Sequence, residues 1–169
     1  MAVVLDEDMR RVVEEQRLGF VASVSPDGSP NLSPKGTTAV WDDEHLVFAH
    51  LHSHQTVANI EGGNPVVEVN VVDPIVRKGY RFKGRAEVLT EGALHDEILD
   101  TFQRERGTDV TRVRSVVLVE VDVAAPLVSP AYDSGPDEAP IVRRWLDHHT
   151  ELADARLSRL ADPHSRNSS

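Results

Sequence analysis

Apolar residues recur along the chain at two periods, and the switches between them predict the order of elements. From Asp6 to Arg17, Met9, Val12 and Val13 fall a helical turn apart among charged residues, with acidic side chains at the end where the helix dipole favours them. A short amphipathic helix on a sheet surface is expected there. "LGFVASVSPDGSPNLSP" then gives a strand from Gly19 to Ser25, a turn from Pro26 to Ser29 whose Pro and Gly set the dihedrals, and a second strand from Pro30. That second strand is expected to continue through "KGTTAVW" to the acidic turn "DDEH", with "LVFAHL" as the third strand of a meander.

The helical period returns in "HQTVANIEGG", where Ser53 is placed to cap a short helix and Gly62 or Gly63 to end it, leaving His54, Gln55 and Thr56 in its first turn. "NPVVEVNVV" reads as a fourth strand. "GYRFKGRAEVL" reads as a fifth, with Tyr80, Phe82, Gly84, Ala86 and Val88 on a core face and Arg81, Lys83, Arg85 and Glu87 on a wet one. Residues 91 to 106 predict a helix with Leu94, Ile98, Leu99 and Phe102 inward and Gly107 at its end, and "SVVLVEVDV" a sixth strand. After a Pro-rich loop, a last helix from about Pro140 carries Ile141, Trp145, His149, Leu152 and Leu160; it is longer than a small barrel can bury, so part of it is expected to face a second subunit. Six short antiparallel strands with peripheral helices imply a mainly β fold, a closed or nearly closed barrel. Residues 1–161 are expected to form one domain and 162–169 a disordered tail.

Composition narrows the function. The net charge of -10, from 18 Lys and Arg against 28 Asp and Glu, argues against nucleic-acid binding, which needs clustered cations. With no cysteine there are no disulfides, thiolate metal sites or cysteine nucleophiles, and the reducing cytoplasm is the expected compartment. The start "MAVVLDEDMRRVVEEQ" lacks a basic, apolar signal, and no run approaches the ~18 apolar residues of a membrane span.

Candidate chemistry gathers around "HLHSHQTVANIEGGNP". His50, His52 and His54 at spacing two would share a strand face and could bind zinc or copper. No HExxH or cysteine pair supports that, so no metal is expected, and a strand end with solvated histidines is favoured by roughly four to one. An anion is the alternative: the helix start over Ser53 to Thr56 offers free N–H groups, and Lys35, after Pro34 and before Gly36, stands where backbone can approach a flat ligand. Arg77, Lys78, Arg81, Lys83 and Arg85 form the densest basic run. Lys83 and Arg85 read as a wet strand face, whereas Lys35 and Arg81 are as readily ligand-facing. No GxSxG elbow occurs, and "EGGNP" follows a helix rather than opening one, so it is a helix end and not a dinucleotide fingerprint.

"FVASVSPDGSPNLSPKG", "LVFAHLHSHQTVANIEGGNPVVEVNVVD" and "GYRFKGRAEVL", in that order over about residues 18 to 90, resemble the pyridoxamine 5'-phosphate oxidase-like, FMN-binding split-barrel superfamily. The resemblance implies a six-stranded antiparallel split barrel, a homodimer with FMN in grooves between subunits, and flavin-dependent oxidoreductase activity on a small molecule. Ser33, Pro34, Lys35, Gly36 and Thr37 would line the isoalloxazine and ribityl chain. Ala49, His50, His54, Gln55, Thr56 and Asn59 would surround the phosphate, with His52 pointing the same way by strand parity, and Trp145 or Tyr132 are candidates to cover the open face. Relatives usually carry Arg or Lys where this chain has Gln55 and Thr56, a loss of about 1.5–3 kcal/mol of charge-assisted bonding that Lys35, Arg77, Lys78 or a histidine must offset. The R-L-H-D-R substrate motif of true pyridoxamine phosphate oxidases is absent, so that substrate is not expected. Deazaflavin or haem remain alternative cofactors for a carrier or sensor without turnover, with His50 or His54 as iron ligand.

Overall fold

The long second strand expected from the sequence breaks in two at Gly36, and the break sets the topology. The computed structural model describes residues 2–52, 54–133, 135 and 137–161. Its strands are β1 (Gly19–Val24), β2 (Pro30–Lys35), β3 (Ala39–Val40), β4 (His45–His50), β5 (Val66–Asp73), β6 (Lys78–Leu89) and β7 (Ser115–Val128). They form one sheet in the order β2-β1-β5-β6-β7-β4-β3. β2 and β3 are therefore opposite edges of the sheet, yet only residues 36–38 separate them, so the sheet must curl until its edges meet.

That corner is tightly made. The Thr38 N–H and hydroxyl both donate to the Lys35 carbonyl, at 3.4 and 2.9 Å. A Cβ on Gly19 would stand 2.6 Å from Thr38 Oγ1, so the corner packs straight onto the start of β1. Pro30 and Pro34 sit on β2, an edge strand, where missing N–H groups cost no ladder bond. The expected meander is thereby corrected. β1 and β2 form a hairpin, but β4 pairs antiparallel with the distant β7, from His45 opposite Glu120 to His50 opposite Ser115. The result is a curled antiparallel half-barrel of seven strands instead of six.

Two cores follow from strand parity. Inside the curl, Val21, Leu46, Phe48, Val69, Phe82, Val117 and Val119 pack with Val12 and Val13 of α1 (Glu7–Gln16) and Ile60 of α2 (His54–Glu61). Outside, Val47, Ala49 and Val116 are covered by Ile98 and Phe102 of α3 (Ala93–Arg106). Leu94, expected inward, is 37% exposed in the first turn of α3, ahead of the part that lies on β4 and β7. Edge strand β3 is capped by side chains: Glu14 accepts the Val40 N–H at 2.9 Å, and Arg106 pairs with Glu14 and donates to the Thr38 carbonyl. Such cover stops an edge from templating further strands.

The chain divides into two compact units, residues up to Val72 with Gly79–Leu127, and Asp73–Lys78 with the residues from Val128. In the second, the Asp73 carboxylate accepts the Ile75 and Val76 N–H groups at 2.7 and 2.9 Å, turning the chain through Arg77 at φ 64°. Tyr132 donates to the Val76 carbonyl, Arg77 lies over Trp145 and Lys78 pairs with Glu138 at the start of α4 (Glu138–Ala161). The expected tail, 162–169, lies outside the described residues, as does the Ser53 cap. Among the described residues no helix is long and apolar enough to cross a membrane.

Candidate cofactor groove

Polar side chains occupy inward positions of the β1–β2 hairpin, where a barrel wall would ordinarily be apolar. The register sets Ser23 opposite Asn31, Val21 opposite Ser33 and Gly19 opposite Lys35. Asn31 donates to Ser23 Oγ and Thr56 Oγ1 at 3.1 and 3.2 Å. Asn59 donates to Ser23 Oγ at 2.9 Å and accepts from Gln55 at 2.8 Å, while Gln55 also reaches Ser25 at 3.3 Å. Thr56 and Asn59 are each 1% exposed. Their side chains thus pin α2 to the β1–β2 hairpin.

The other half of the site is cationic. Lys35 is 3% exposed; its Nζ donates to Ser33 Oγ at 2.6 Å and lies 5.7 Å from the Phe48 ring centre. Loss of water lowers its pKa from 10.5 to about 8. His50, buried at the end of β4, has its ring 5.6 Å from that of His54. Burial lowers its pKa first, then the neighbouring charges of His54, Lys35 and Arg114, so the neutral imidazole is favoured. Beside it on β7, Ser115 is 3% exposed and its hydroxyl has no hydrogen-bond partner among the described residues.

The remaining expected residues divide clearly. A Cβ on exposed Gly36 would meet nothing within 4 Å, so the backbone beside Lys35 is open to approach. Thr37 Oγ1 accepts the Ala49 N–H at 2.9 Å, clipping the corner to β4; the Ala49 side chain turns away under α3. Pro34 is exposed on the outer face, opposite Phe20. Arg81 pairs with Glu68 at 3.0 Å on the exposed side of β6, and within the second unit Arg77 lies over Trp145 and Lys78 pairs with Glu138. His52 is exposed beyond the end of β4, so strand parity does not extend to it. Among the described residues no group of three or more His, Cys, Asp or Glu side chains could hold a metal ion. Sequence reading missed Ser23, Asn31, Ser115 and Arg114. The first two carried a signal, being polar at core parity.

The fold is thus a curled antiparallel half-barrel with polar side chains and a buried lysine gathered at one end. Residues 5–125 match the family described as pyridoxamine 5'-phosphate oxidase, and the chain belongs to it. Among solved structures, HupZ from Group A Streptococcus is 32% identical at a TM-score of 0.65, with 73% of this chain and 94% of that one covered. An FMN-binding protein from Syntrophomonas wolfei shares the fold at 15% identity and a TM-score of 0.62, over 74% and 87%. A structure described as an F420 reductase does so at 24% identity and 0.55, over 71% and 98%. No curated protein matches the chain.

Proposed function

We propose that this protein is a homodimeric FMN-binding oxidoreductase acting on a small molecule other than pyridoxamine phosphate, with Ser33, Lys35, Gly36, His50 and the start of α2 lining the cofactor groove. One observation carries the reading: Lys35, 3% exposed, stands next to exposed Gly36, so a buried cation adjoins a stretch of backbone that a ligand can approach without meeting a side chain. An anionic, planar ligand suits both. When bound, FMN supplies the redox chemistry, and the protein's share is orientation and electrostatics. Lys35, 3% exposed, would hold negative charge on the bound group where water is scarce and Coulomb interactions are strong. Arg114 and the helix terminus at His54 to Thr56 supply the positive field that Gln55, tied to Asn59, does not. The Ser115 hydroxyl, buried without a hydrogen-bond partner among the described residues, would be a further candidate to meet a bound group.

The dimer is supported by the outer face of β2, β1 and β5. Phe20, Val24, Leu32, Val66 and Val72 are 39–65% exposed there, an apolar surface that a second subunit would cover. A cysteine-free chain suits the reducing cytoplasm. The second reading, a deazaflavin- or haem-binding carrier without turnover, rests on the neutral, buried His50 next to His54, since a neutral imidazole can ligate iron. The deciding experiment is the absorption spectrum of the purified protein, followed by titration with FMN, deazaflavin and haemin. A flavin spectrum and tight FMN uptake are expected; a Soret band or deazaflavin binding in their place would overturn the cofactor and leave the fold standing.

A further inference from the structure

Helix α4 has two apolar faces with different fates. Ile141 is 9% exposed, and Trp145 lies 4.2 Å under the Arg77 guanidinium of the same unit, so the stripe through those residues is already covered. A second stripe, Leu146, Thr150, Ala153, Leu157 and Leu160, advances by alternating steps of four and three, the spacing of a coiled-coil seam. Its leucines are 52%, 64% and 69% exposed. Charges flank this seam asymmetrically. Asp147 and Asp154 follow Leu146 and Ala153 on one side; His149 and Arg156 precede Thr150 and Leu157 on the other. On α1 and α3, Arg11 and Arg104 find carboxylates on their own helix, but among the described residues Asp147, Asp154 and Arg156 form no ion pair within the chain.

We infer that this seam pairs in parallel and in register with the same seam of a second copy. In a parallel pair His149 of one helix lies against the partner's Asp154, and the two acidic flanks are kept apart. Antiparallel pairing sets acidic flank against acidic flank and basic against basic, so the charge pattern selects the orientation. Thr150 and Ala153 make the middle of the seam too small to hold free molecules together by itself. The pairing therefore rests on the homodimer proposed above, which raises the effective concentration of one helix at the other.

The absence of cysteine makes the test clean. Leu146→Cys and Leu160→Cys are made singly in the full chain, with Ser158→Cys, exposed and off the seam, as control. The two leucines lie roughly 21 Å apart along the helix, so no antiparallel register can place both opposite themselves. Under mild oxidation each leucine variant is expected to form a covalent homodimer roughly tenfold or more faster than the control, as an intramolecular reaction does. Self-linking at one position only, at neither, or preferential linking between the two variants overturns the parallel seam. A monomeric mass for the unmodified chain overturns both the seam and the homodimer, and a dimer without self-linking overturns the seam alone. FMN titration of that chain reports separately on the flavin reading.

Discussion

Lys35 is a cation kept from water, and its titration should be visible in stability. Folding lowers its pKa from 10.5 to about 8, so between those values the unfolded chain binds more protons and stability rises with pH. Urea midpoints of the ligand-free protein should climb from about pH 8 to about pH 10, and Lys35→Met should flatten the climb. At higher pH Tyr80 acts oppositely: its hydroxyl donates to Asp8, raising its pKa to about 12, and that contribution is lost as pH rises through this value. Gly36 separates folding from binding. Because its Cβ position is empty space, Gly36→Val should leave the melting temperature nearly unchanged while weakening FMN binding about tenfold or more, some 1.4 kcal/mol, by isothermal titration.

Element placement depends on a few close approaches. A Cβ on Gly84 of β6 would collide with the Glu120 carbonyl of β7, so Gly84→Ala should cost about 1–3 kcal/mol, read as a fall in the thermal midpoint. Asn59→Ala strips a buried partner from Ser23 and Gln55, and should cost about 1–3 kcal/mol while loosening α2, measurable as faster amide exchange over His54–Glu61. The period-two strands and the helices at Val12, Ile98 and Gly107 were legible in the sequence because each is decided by local pattern. The corner was not. Residues 34–40 read as continuous strand since nothing local reports that Lys35 and Ala39 belong to opposite sheet edges. Pattern does not decide His52 or Arg81 for related reasons: parity lapses where β4 stops, and alternation cannot tell a ligand-facing cation from one that meets Glu68 on the neighbouring strand.

For the whole molecule, the central expectation is the dimer. Leu32, 65% exposed on an apolar outer face, is the position at which a charge should separate subunits without unfolding either. Leu32→Asp should shift the mass measured by light scattering toward that of one chain and, if the groove is shared, reduce FMN content with it. Leu32→Met should leave both as they are.

The pairing of β4 with β7 sets a timetable. His50 and Ser115 become neighbours only when strands far apart in the chain meet, so loop closure must precede the groove. Such non-local pairings are slow. While the chain emerges from the ribosome, Lys35 and His50 exist long before the wall that encloses them, and the early hairpin carries polar residues on its inner face and exposed leucine on its outer one. On the flavin reading proposed above, cofactor available during synthesis would have nothing to enter until β7 is complete, and loading would be a late, post-assembly event.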